Sequence, residues 1–134
     1  MISGGIGYFA IVFIVAFGFG TVRTLWLAPT IGATGAVLVE LPLILIVSFL
    51  AARLVVARVR PAPSGTAIGI GAIGFALLMA AEAGLGVFAF GMSLSAWLAS
   101  LVRVPGVFGL AGQLAFAAMP LIVSARLSSP PRAQ

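Results

Sequence analysis

Four stretches of this chain are each long and apolar enough to demand hydrocarbon, not water, around them. They run from about Gly5 to Leu27, Ile31 to Ala52, Thr66 to Phe90 and Gly106 to Ala125. A helix crosses a bilayer with about 20 apolar residues. A barrel strand would alternate in polarity over about ten residues, and these stretches do not. Only 7% of the 134 residues are charged and 63% are hydrophobic. A soluble domain carries about 25% charged residues, so a chain this short could not hide its apolar surface from water. The expected fold is all-α: a polytopic membrane protein with four transmembrane helices as two hairpins. Residues 1–127 would form that domain, and 128–134 a disordered cytoplasmic tail.

Prolines punctuate the spans. Pro29 and Pro105 fall where helices are expected to start, since a missing N–H is harmless in a first turn. The segment "RPAPSG" (Arg60 to Gly65) breaks the chain between spans two and three. The connector "SLSAWLASLVR" (Ser93 to Arg103) sets Leu94, Trp97, Leu98 and Leu101 at helical spacing. It reads either as an interfacial helix anchored by Trp97 or as a short re-entry into span four. The first 20 residues lack the basic start and small-residue cleavage site of a signal peptide, so span one is expected to be retained. Arg53, Arg58, Arg60, Arg126 and Arg132 lie on the side of the termini, and Arg23 and Arg103 on the other. The positive-inside rule then puts both termini in the cytoplasm.

Depth makes the rare polar residues informative. Counted at 1.5 Å per residue, Glu40 lies roughly 13 Å from the outer end of span two, and Glu82 and Gln113 roughly 12 Å in. Arg23 lies roughly 6 Å below the outer end of span one, with a side chain long enough to reach either way. Each span thus gives one strongly polar side chain to the same slab. An ionised group at a helix centre costs about 2.5–3.5 kcal/mol on insertion scales. The economical state pairs Arg23 with one Glu and leaves the other carboxyl neutral, bonded to a carbonyl or to Gln113. Pro42 cannot donate to the Leu38 carbonyl, which marks a helix break near the polar layer and an acceptor near Glu40. Two readings of the layer stand side by side: polar glue that selects which helices meet, or proton-relay chemistry.

Small residues supply packing faces. Gly65/Gly69, Ala67/Gly71 and Ala80/Gly84 repeat at four-residue spacing in span three, and Gly18 and Gly20 do the same service in span one. Arg53, Arg58 and Arg60 form a basic stub suited to anionic lipid headgroups, at about 1 kcal/mol each. "YFAIVFIVAFGFG" (Tyr8 to Gly20) echoes "GFALLMAAEAGLG" (Gly74 to Gly86), as a parallel repeat of two hairpins would.

Several function classes fall away. The chain has no His, Cys, Lys, Asp or Asn. A catalytic triad, a His-activated nucleophile and a Lys Schiff base cannot be assembled, so no enzyme and no cofactor are expected. Two carboxylates are too few for a metal site. Haem would lack its His. The net charge of +5 comes from Arg at span ends, not from one basic face, so no nucleic-acid partner is expected.

"GFGTVRTLWLAPTIGATGAVLVELPLILIVSFLAAR", with "FALLMAAEAGLGV", "GMSLSAWLASLVRVPG" and "FAAMPLIVSAR" after it, resembles a family of small four-span bacterial membrane proteins with no assigned activity. The resemblance covers nearly the whole chain. It implies an inner-membrane location and an Arg late in span one, Glu-x-Pro in span two and Glu in span three, here Arg23, Glu40 with Pro42, and Glu82. The third connector departs from the pattern, with "RVPG" in place of an Arg-Asp-Pro-like turn. Expected partners are the bilayer, anionic lipids, and other membrane proteins or further copies of the chain. The preferred expectation is an accessory or assembly subunit of a larger membrane complex, because two acids and one Arg specify no pathway. The alternative is a small proton-linked transporter or permeation unit using the buried Glu residues.

Overall fold

The computed structural model describes residues 2–59, 63–104 and 106–128. Arg60, Pro105 and the tail from residue 129 lie outside the described residues, so the readings placed on them are not tested by it. All regular structure among the described residues is helical. Four helices are long and apolar enough to cross a membrane, with candidate spans Ile2–Ile31, Ala33–Arg58, Ser64–Ala89 and Gly106–Arg126, the last within the helix Gly106–Ser128. A short helix, Leu94–Ser100, joins the last two.

The first turn corrects the expected boundary. Pro29 does not open the second helix; the first helix runs through it to Ile31. A proline inside a helix lacks a donor and its ring crowds the carbonyl four residues back. The chain accommodates this by widening just before Pro29 into a π-helical turn, Arg23–Leu27, closed by the Ala28 N–H donating to the Arg23 carbonyl. Reversal falls on Gly32 alone, at φ 86°, a conformation that an L side chain rarely adopts. Its N–H donates to Ala28 O at 2.9 Å and its carbonyl accepts from Ala36 N at 3.0 Å, so this one-residue turn leaves neither of its own polar groups unmet.

The second helix extends past the expected Ala52 to Arg58, and Pro42 does not break it. Pro42 and Leu38 both lie on its exposed face, so the carbonyl freed by Pro42 is turned away from Glu40's side. The third helix ends in a second π turn, Leu85–Ala89. The connector forms a short helix over Leu94–Ser100. Ser93 caps it by accepting from the Ala96 N–H at 3.1 Å, and Trp97 packs where a side chain at Gly86 would otherwise sit.

Around the bundle the main contacts run first to second, second to fourth, fourth to third and third to first. The first and third helices are therefore neighbours, not diagonal partners. A two-fold axis along the membrane normal, the basis of a parallel repeat, would put them on the diagonal. Close approach of the third helix uses Ala67, Gly71 and Gly74: a Cβ on Gly71 would lie 1.9 Å from the Ala117 carbonyl, and one on Gly74 3.0 Å from the Tyr8 ring. A Cβ on Gly18, Gly65 or Gly84 would meet nothing within 4 Å among the described residues.

One half of the bundle is solid. Tyr8, Val12, Ala52, Val56, Ile70, Phe116 and Val123 are buried there, and the first helix has no buried residue beyond Val12 among those described. At its centre the Tyr8 ring stacks on Phe116, with centroids 4.3 Å apart and planes 6° from parallel. The Tyr8 hydroxyl donates to the Phe116 carbonyl at 2.5 Å. That carbonyl is the one Pro120, four residues on, cannot engage. Tyr8 thus replaces a backbone donor that the fourth helix lacks. Tyr8→Phe should lower stability by about 1–3 kcal/mol, the penalty for a buried acceptor left unmet. Pro120→Ala restores the N–H, so in that background Tyr8→Phe should become nearly neutral, as read by reversible unfolding in detergent.

Candidate functional site

Beyond Val12 the helices part around a cavity of about 110 Å³. One water needs about 10–15 Å³ by this measure, so several fit. Every long helix lines it. The first contributes Ala16 and Arg23, the second Val37, Glu40, Leu41 and Ile44, the third Glu82, and the fourth Gly109, Gly112 and Gln113. Val12, Leu78 and Phe116, all buried, close it on the side of the solid half. The four polar residues singled out by depth therefore share one space.

Local structure aims them. Arg23 is the first residue of the π turn, so the widening that accommodates Pro29 also sets the register of its side chain. Glu40, Val37, Leu41 and Ile44 follow helical spacing on one face of the second helix. Gly112 admits Leu41: a Cβ there would lie 2.4 Å from the Leu41 Cδ1.

The polar groups form two pairs. Arg23 Nη1 donates to Glu40 Oε2 at 2.5 Å, with side chains 35% and 12% exposed, so the pair sits at the accessible end. Gln113 Nε2 donates to Glu82 Oε2, also at 2.5 Å. Among the described residues, Gln113 Oε1 is buried without a hydrogen-bond partner. The expected pairing of Arg23 with one Glu is thus resolved in favour of Glu40. The expected donation from a neutral carboxyl to Gln113 is drawn the other way, amide to carboxyl. Among the described residues Glu82 has a neutral partner and no guanidinium of its own, though Arg23 and Glu40 lie within electrostatic reach.

Pro42 is not part of the cavity wall. Arg53 and Arg58 are exposed at the far end of the second helix, Arg53 lying 5.9 Å over the Phe49 ring. Sequence reasoning missed Tyr8, Phe116, Pro120 and the buried Ser48. The available signal was Pro120 within an apolar run, which implies a stranded Phe116 carbonyl, together with the chain's one tyrosine. No group of three metal-ligating side chains occurs among the described residues.

Fold and cavity together describe a small helical bundle with four bilayer-length helices and an ionisable internal cavity. No protein family, curated protein or solved structure matches this chain.

The pairing has a direct consequence. Arg23→Leu should destabilise the protein by about 3 kcal/mol, the low end for a broken buried pair given the partial exposure of Arg23. Adding Glu40→Gln should recover most of that, and adding Glu82→Gln should not. Rescue by Glu82→Gln alone, measured by thermal unfolding in detergent, would reverse the assignment.

Proposed function

We propose that the protein is a small proton-linked transport or permeation unit, with Glu82 as the group that gains and loses the proton. The observation that supports this is the inward convergence of Arg23, Glu40, Glu82 and Gln113 on one cavity, reachable at the Arg23 end and closed by apolar residues at the other. A charged carboxyl in an apolar setting is expensive, and space for water lowers the barrier to exchanging its proton. Arg23 is matched by Glu40, so Glu82 is the group whose charge is uncompensated. Passage to the other side requires the Tyr8–Phe116 floor to open. The fourth helix lacks one backbone hydrogen bond there because of Pro120, which makes it the natural hinge.

In this reading the helices form two hairpins in a bacterial inner membrane. Both termini are cytoplasmic, by the five-to-two Arg asymmetry, and the cavity opens outward. The accessory-subunit reading draws on a different feature: the Arg23–Glu40 pair is complete within one chain, as polar glue would be.

Two measurements test this. Reporter fusions after Arg60 and Gln134 should report cytoplasm, and one near Ser95 the opposite side; a C-terminus outside would overturn the topology. In liposomes under a pH gradient, the purified protein should carry protons above the protein-free leak. Glu82→Gln should abolish that flux while keeping wild-type helix content. Equal traces for wild type, Glu82→Gln and empty liposomes, with or without added amines and alkali cations, would instead favour the accessory subunit.

A further inference from the structure

We propose that the cavity binds one small alkylammonium ion in exchange for the proton of Glu82. The identity of the cargo rests on the transport reading, but the site itself follows from charge, hydrogen-bonding valence and wall chemistry.

Charge comes first. Two carboxyls, Glu40 and Glu82, face one guanidinium, Arg23, so the cavity is one positive charge short when both carboxyls are ionised. The fourth helix contributes only the neutral Gln113, and the third helix has no charge besides Glu82. A proton on Glu82 supplies the missing charge, and so does a bound monocation. Both together would leave an excess positive charge in an apolar enclosure, which is costly. The two therefore exclude one another. On binding, the Glu82 O–H bond breaks, the proton passes to water in the cavity, and the carboxylate takes the cation.

Valence decides what kind of cation. Gln113 gives one N–H of its amide to Glu82, and among the described residues its buried Oε1 has no hydrogen-bond partner. Ionised carboxylates only accept. The unmet buried atom beside Glu82 is thus an acceptor, and it calls for a ligand with N–H donors. The walls decide the rest. Val12, Leu41, Ile44, Leu78 and Phe116 line the rest of the cavity with hydrocarbon. Hard metal ions take six or more oxygens, which Glu40, Glu82 and Gln113 do not provide once Glu40 is held by Arg23. An ammonium group with a short alkyl tail fits both ends of the cavity, in a volume of about 110 Å³.

The test is equilibrium binding of ethylammonium to the purified full-length protein in detergent, by titration calorimetry. Titrations in two buffers of different ionisation enthalpy count the protons released. One ethylammonium per chain should bind with release of close to one proton. Its apparent Kd should weaken by up to tenfold per pH unit on the acid side, as competition for one group requires. Potassium, and tetramethylammonium, which has no N–H, should bind at least tenfold more weakly. Glu82→Gln should abolish binding, Gln113→Leu should weaken it at least tenfold, and Leu114→Ala, on an exposed face, should leave it unchanged. If Glu82→Gln fails to fold, the proton count and Gln113→Leu carry the decision. Absence of binding, potassium binding as tightly as ethylammonium, or binding without proton release would each overturn the proposal. Proton flux in liposomes without ethylammonium binding would sink this inference alone. Binding without flux would sink the transport reading alone.

Discussion

A proline in the middle of a helix surrounded by hydrocarbon strands a carbonyl that water cannot reach, and the molecule is arranged around the answer to that problem. Pro120 leaves the Phe116 carbonyl without its helical donor, and the Tyr8 hydroxyl supplies one from the first helix. The donor must arrive at hydrogen-bonding distance, so the first helix is held against the fourth across the bundle centre. The rings of Tyr8 and Phe116 then stack, and Gly74 is needed where a larger residue would strike Tyr8. Burial of Val12, Ile70 and Val123 follows from that closeness. A backbone defect therefore fixes the tight half of the fold.

The same contact explains why the other half is open. Beyond Val12 the first helix has no comparable tether until Arg23 reaches Glu40. Between those two ties the walls stand apart, and the cavity occupies the gap. Its position is set from both ends: an aromatic floor held by a hydroxyl, and a rim held by an ion pair. The π turn beginning at Arg23 belongs to the rim as much as to the helix, since it lets the first helix run through Pro29 to Ile31.

Much of this was legible in the sequence, for a physical reason. Lipid removes water as a partner, so length and apolarity alone mark spans, and a rare polar side chain must turn inward. Depth counting therefore gathered Arg23, Glu40, Glu82 and Gln113 into one layer. What failed was reasoning from proline as punctuation. Pro29 suggests a helix start and Pro42 a break, yet both lie within continuous helices, Pro29 just after a π turn and Pro42 on an exposed face. Small-residue spacing failed in part for a similar reason. Ala67 and Gly71 face a neighbour, while Gly18 and Gly84 do not, and periodicity within one helix cannot tell which face another helix will meet. Tyr8 was hidden because a tyrosine near a span end also suits the membrane interface; only the stranded Phe116 carbonyl gives it a partner in the core.

Asymmetry along the bundle axis bears on what the cavity can do. A polar pair sealed within a packed core is held by its surroundings and has nothing to exchange with. Here the two pairs differ. Arg23 and Glu40 sit at the accessible end and neutralise each other, whereas Glu82, among the described residues, is bonded to an amide whose oxygen is unmet. Stability asks only for the first pair: it ties the first helix to the second and leaves no charge over. A fold that needed nothing more would place an apolar residue at Glu82 and close the gap, since apolar replacement of buried polar groups is often neutral or stabilising. Retaining a second carboxyl, an unmet amide oxygen and room for several waters makes sense when something enters, binds and leaves. That imbalance between what the bundle needs and what it contains is the strongest physical reason to look for a ligand.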